Sequence, residues 1–258
     1  MSRRPDLRCK VLFVVIGAVA LAAVSVAQQP VVVELFTSEG CSSCPPADAM
    51  LIKLSHQRST NIANLILLEE HVEYWNDGGW HDRFSGPTYT QRQYDYVHKL
   101  HLATAYTPQI VIDGHLQTSG NKPADVQQFL LQAAKTPKPV AVTLQLTAPD
   151  KLQVAVDNPS RAKVDVLFAV TEDDLSTNVK AGENGGHTLT HSAVVRELNR
   201  LGSTSDAKFE KTVNVPQKSD WKKSDLRAVV FVQNASTGEV LGAAQTLYTP
   251  PATAASGQ

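Results

Sequence analysis

The sequence predicts an α/β domain followed by an all-β antiparallel sandwich. Three observations carry this. Strand-like and helix-like patterns alternate up to about residue 136, and nearly everything after residue 139 alternates apolar and polar residues at the strand period. Between the two regimes lies the Pro-rich tetrapeptide Thr136-Pro137-Lys138-Pro139.

The chain opens with a basic stretch, Arg3, Arg4, Arg8 and Lys10, and then an apolar run from Val11 to Val24 broken only by Gly17. Ser25-Val26-Ala27 supplies the small residues of a cleavage site, so residues 1–27 read as a signal peptide cut after Ala27. The alternative is an uncleaved anchor, the run being just short of a comfortable span. Cleavage makes the protein exported, periplasmic or extracellular, with no membrane span left. It removes four bases and one acid, leaving 20 basic and 24 acidic residues and a net charge of −4. Mild acidity of this kind gives no electrostatic footprint for nucleic acid.

In the first domain, residues 30–136, Val31 to Phe36 reads as a buried strand rich in β-branched residues. Asp48 to Arg58 carries Met50, Leu51 and Leu54 at helical spacing, behind Pro45 and Pro46. Asn64 to Leu68 is a second buried strand. Residues 71–105 form an insert holding Tyr74, Trp75, Trp80, Phe84, Tyr89, Tyr94 and Tyr96, with a helix expected over Tyr89 to Leu102. Ile110 to Thr118 reads as a hairpin turning at Asp113-Gly114. A last helix presents Val126, Phe129, Leu130 and Ala133 on one face.

The second domain, residues 139–249, alternates cleanly through Val140–Leu146, Leu152–Val156 and Val164–Val170. It continues through Phe209–Val215, Leu226–Gln233 and Val240–Tyr248. Gly182-Glu183-Asn184-Gly185-Gly186 reads as a structural loop, since no Lys-Ser/Thr and helix follow it. His187 and His191 alternate on a short strand and read as solvent-facing. Residues 250–258 form an Ala/Ser/Gly-rich tail expected to be disordered.

The chemistry concentrates at Cys41-Ser42-Ser43-Cys44, where the first strand hands over to a helix. The only other cysteine is Cys9, inside the signal peptide. A mature chain with a single CxxC pair points to thiol chemistry rather than a disulfide framework. The helix start supplies free N–H groups and the positive end of the dipole, which lower a thiol's pKa. Cys41 is expected to be the exposed attacking thiol, and Cys44, one turn in, the resolving one. Glu34, within the first strand, is a candidate proton shuttle to Cys44. Glu39 reads as a solvated loop acid. The redox-active disulfide needs no cofactor. The partners it implies are protein or small-thiol substrates and a redox partner that recharges the pair. A rival reading makes Cys41, Cys44 and His71 ligands of a copper or zinc carrier. A second rival makes the pair a structural staple in a binding module.

Strand, CxxC at a helix start, and the later Tyr106-Thr107-Pro108-Gln109 together resemble the thioredoxin fold over about residues 30–136. That resemblance implies a cis Thr107-Pro108 bond beside the cysteines, with Thr107 and Pro108 presenting backbone to a substrate. The chain also resembles the exported DUF1223 proteins, whose function is not established. The matching stretches are Glu34 to Asp48, His71-Val72-Glu73-Tyr74-Trp75, Gly79-Trp80, Tyr106 to Gln109 and Gly182-Glu183-Asn184-Gly185. Glu39 and Asn76 stand where that pattern leads one to expect Gln and Asp.

Overall fold

The structure, a computed structural model, describes residues 28–58 and 63–248. The expected signal peptide, residues 1–27, and the expected tail, residues 250–258, both lie outside the described residues.

Strand β1 (Pro30–Thr37) leads to helix α1 (Pro45–Ser55) and parallel strand β2 (Asn64–His71). Helix α2 (Pro87–Lys99) follows, then the hairpin of β3 (Gln109–Ile112) and β4 (Leu116–Ser119), then helix α3 (Pro123–Ala134). All three helices carry proline in their first turn, where its missing N–H costs nothing and its φ is already helical. The hairpin turns at Asp113 and Gly114, both at positive φ, as the Asp-Gly pair predicts.

Past the proline segment come β5 (Ala141–Ala148), β6 (Lys151–Asp157), β7 (Val164–Glu172), β8 (Leu175–Asn178) and β9 (Thr188–His191). Strands β10 (Val194–Thr204), β11 (Lys208–Asn214), β12 (Leu226–Asn234) and β13 (Val240–Leu247) complete the chain. Every strand expected in this half is present.

The arrangement departs from the expected fold class. Eight strands from both halves form one mixed sheet in the order β13-β12-β7-β10-β2-β1-β3-β4. Strand β10 is the joint. It runs antiparallel to β7 and pairs in parallel with β2 through Val194 and Glu69. The first half therefore supplies one wing of a shared sheet, and the expectation of a thioredoxin-like α/β domain followed by an all-β sandwich does not hold. The pattern hid this joint because β10 is polar along its middle and bulged twice, which breaks the period-two signal.

Two layers cover the sheet on one face. Val31, Val33 and Leu35 of β1 pack with Ala47 and Leu51 of α1 and Val126 and Ala133 of α3. Farther along, Val166, Phe168, Val170, Ala228, Val230 and Val232 pack with Leu152, Val154 and Val156 of the three-stranded sheet β11-β6-β5. On the opposite face, Val32, Ile66, Leu68, Ala169, Val229 and Phe231 pack with Tyr89 of α2. Burial on both faces explains why β1 and β2 read as nearly continuous apolar runs. It also makes the acids in those runs, Glu34, Glu69 and Glu70, fully buried.

Candidate functional site

The loop from Ser38 to Cys44 leaves the C-terminal end of β1 and enters α1. Cys41 and Cys44 are joined in a disulfide, with Cα atoms 5.5 Å apart. Cys44 caps α1, and its carbonyl accepts the N–H groups of Ala47 at 2.9 Å and Asp48 at 3.2 Å. The pair thus sits at the helix N-terminus, as the spacing predicts.

Thr107-Pro108 is cis, and the Thr107 hydroxyl lies 3.3 Å from Cys41 Sγ. Trp75 Nε1 donates to that same hydroxyl at 2.8 Å. Gly120 fits this corner because it has no side chain: a Cβ there would come within 2.6 Å of Ala47 Cβ and 3.2 Å of Pro108 Cβ. Its N–H donates to Pro108 O at 2.9 Å. Residues 66 positions apart therefore meet at the disulfide.

Exposure differs from the expectation. Both cysteines are fully buried, and the exposed residues are Ser42 and Ser43 between them. The cover comes from the loop between β8 and β9, whose place over the disulfide no local pattern marks. Asn184 Nδ2 donates to Glu39 O at 2.9 Å and Cys41 O at 3.0 Å. Glu183 Oε2 accepts the Ser42 N–H at 3.1 Å.

Behind the disulfide lies a buried polar cluster. His71 Nδ1 is 2.7 Å from Asp82 Oδ2, and His191 Nδ1 is 2.8 Å from Glu69 Oε1. His71 Nε2 lies 3.6 Å from Glu69 Oε1, and His191 Nε2 lies 3.5 Å from Glu39 Oε1. Trp80 Nε1 donates to the other Glu39 oxygen at 2.8 Å, and the Glu39 N–H donates to Asp82 at 2.8 Å. Burial alone would lower the pKa of His71. The charge and hydrogen bond of Asp82, with Glu69 adding to them, outweigh it and lift the imidazole to about 9. Burial likewise opposes His191, yet Glu69 and Glu39 hold it well above its ordinary value. For Asp82, burial is outweighed by His71 and two backbone donors, and the acid falls to about 2. Asp48, one turn past Cys44, is raised to about 7 by burial and by the charge of Glu69, against the Thr37 hydroxyl that donates to it at 2.7 Å.

Glu34 goes elsewhere. Strand alternation turns it to the α2 face, where Arg92 Nε lies 2.5 Å from its Oε2 and the Tyr96 hydroxyl donates to its Oε1 at 2.6 Å. The buried acids on the disulfide side are Glu39, Asp48, Glu69 and Asp82. Glu39 is buried rather than solvated, and His191 is buried rather than solvent-facing. His71 keeps company with Asp82, Glu69, Phe84 and His191. The group of possible metal ligands that the fold assembles among the described residues is Glu69, His71 and His191, without a cysteine. Of these, Glu69 and His191 carried no sequence signal: one looks like a strand acid, and the other lies more than a hundred residues away.

Residues 32–233 match the model of a family described as "Protein of unknown function (DUF1223)". The chain belongs to the DUF1223 family. Among solved structures, this DUF1223 protein is similar to an Agrobacterium tumefaciens protein determined by X-ray crystallography, at 28% identity and a TM-score of 0.68. That match covers 85% of this chain and 94% of the other. A domain of the outer membrane lipoprotein Omp28 from Porphyromonas gingivalis is 16% identical, with a TM-score of 0.25, over 43% of this chain and 87% of that one. No curated protein matches the chain. Among the described residues no helix is long and apolar enough to cross a membrane.

Proposed function

We propose that this DUF1223 protein is an exported thiol–disulfide oxidoreductase acting on protein or small-thiol substrates. The observation that carries the reading is the Thr107 hydroxyl 3.3 Å from Cys41 Sγ, at a CxxC pair placed on a helix N-terminus. In the reduced form, a hydroxyl donor and the helix start both favour a Cys41 thiolate. That thiolate attacks a substrate disulfide, forming a Cys41–substrate bond and releasing one substrate thiolate. The Cys44 thiolate then attacks Cys41 Sγ, reforms the pair and releases the second substrate thiolate. Two electrons pass to the substrate, and an external dithiol partner restores them. Run backwards, the same steps oxidise a dithiol. Asp48, on the same helix face four residues after Cys44, is an acid able to take or give a proton near neutral pH.

A second reading has one observation in its favour. Both cysteines are fully buried, which suits a structural staple in a binding module. Equilibration in thiol redox buffers separates the two. An exchangeable couple between about −120 and −270 mV supports the oxidoreductase, and a potential below about −300 mV supports the staple.

A further inference from the structure

We propose that Glu69, His71 and His191 form a binding site for a divalent transition metal, with zinc as the ion that suits it best.

The case rests on donor atoms left without partners. His71 Nε2, His191 Nε2 and Glu39 Oε1 are all buried and make no hydrogen bond. Buried polar atoms in that condition are costly, and three together call for an explanation. The first three residues each offer a donor atom, all within 4.8 Å of one another. His71 Nε2 faces Glu69 Oε1 at 3.6 Å, and His191 Nε2 faces Glu39 Oε1 at 3.5 Å. These gaps are too long for hydrogen bonds. The first gap matches two ligands on one ion, since bonds of about 2.0–2.2 Å at tetrahedral angles set neighbouring donors roughly 3.3–3.6 Å apart, and His191 meets the same Glu69 oxygen through Nδ1 at 2.8 Å.

The surroundings fit the same reading. His71 gives Nδ1 to Asp82 at 2.7 Å, which fixes the ring and leaves Nε2 free to point inward. A carboxylate on the far nitrogen is the usual support of a metal-bound imidazole. Glu69 is held by the Ser192 N–H at 3.0 Å, so the acid is oriented before any ion arrives. Three carboxylates, Glu39, Glu69 and Asp82, surround the two imidazoles, and a divalent cation that displaces the imidazole protons offsets the same buried negative charge. Two imidazoles with carboxylates suit zinc better than calcium or magnesium, which take oxygen alone. Bound there, the ion would tie β2 to β9.

The inference stands apart from the thiol chemistry, and its test keeps them apart. The mature protein is stripped with chelator, dialysed against zinc and analysed for bound metal. One zinc per chain is expected. Glu69→Gln and His191→Gln should bind at least tenfold more weakly, and Asp82→Asn, which changes a supporting carboxylate and no ligand, about tenfold more weakly. The Cys41→Ser/Cys44→Ser double variant should keep its zinc. Near-UV circular dichroism checks that each variant folds, and Asp82→Asn supplies the readout if the ligand variants do not. Wild-type protein without stoichiometric zinc, or zinc lost with the cysteines and kept without Glu69, overturns the proposal.

Discussion

Glu69 and Glu70 are neighbours in β2, yet alternation sends them to opposite faces of the sheet and into two different buried clusters. On the α2 face, Glu70 and Glu34 share Arg92, with Tyr96 and Gln233 completing the group. Burial drives Glu70 well above its ordinary pKa, against Arg92 and with the charge of Glu34 adding to it. That cluster is held around one fixed cation, Arg92, which the two acids share. On the disulfide face, Glu69 and Glu39 meet two imidazoles that each keep a free nitrogen. The first arrangement is held around one guanidinium, and both Glu70 oxygens lie within it without a hydrogen bond. The second gathers imidazole nitrogens and carboxylate oxygens at one point, beside the CxxC loop. Neither burial nor an unpaired atom alone marks a candidate site; the convergence of imidazole and carboxylate donors does.

The sharpest way to break this comparison is to remove the fixed cation. Arg92→Met leaves Glu34 beside Glu70 with no positive partner and should cost about 3–5 kcal/mol in urea denaturation. A loss under about 1 kcal/mol would mean that the α2 cluster is not organised around Arg92.

The next effect belongs to the disulfide face and depends on pH. Asp48 ionises near 4 in an unfolded chain and near 7 in the fold. Its contribution is therefore full below about pH 4 and is lost as pH rises through 7, since the folded state holds the proton more tightly. Stability should fall by about 2–4 kcal/mol between pH 4 and 8, and Asp48→Asn should flatten that slope. Denaturation midpoints across the range decide it. An unchanged slope in the Asn variant would assign the effect to another group.

The two clusters also show how far the sequence reaches. The CxxC at a helix start, the Asp113-Gly114 turn, the prolines opening α1 and α3, and the alternating strands of the second half were all legible from local pattern. Thr107 and Pro108 were legible only through family resemblance, because nothing local says that they meet Cys41. Strand β10 was not legible, since bulges and a polar middle erase its period. His191 was misread because alternation tells which residues share a face and not what covers that face. Glu39 was misread because a loop acid carries no periodic signal, and its burial depends on Trp80 and on the loop holding Asn184. What remained hidden is the set of contacts made between the two halves of the chain.

Asn184 is one of those contacts, and it should tune access to the disulfide. Its side chain holds Glu39 O and Cys41 O, so Asn184→Ala loses two hydrogen bonds, worth about 1–2 kcal/mol. If the loop opens before reduction, dithiothreitol should reduce the variant about 5–30-fold faster, the same energy read as a rate. An unchanged rate would mean that the attacking thiol enters by another route.

Glu183, beside it in the chain, gives the smallest effect and separates charge from cover. Its carboxylate is fully exposed and rests on the Ser42 N–H, between the two cysteines. Being solvated, it adds nothing measurable to stability, so Glu183→Gln should melt like the wild type. It does place a negative charge at the mouth of the pair, where it repels an anionic thiolate such as that of glutathione. At low ionic strength the Gln variant should therefore be reduced by glutathione about twofold faster, and the gap should close at about 1 M salt, where the screening length is only ~3 Å. A thiol whose only charge is on the attacking sulfur, such as mercaptoethanol, should show a smaller gap. A gap that persists at high salt would make Glu183 part of the cover with Asn184, and the loop would then act as one latch.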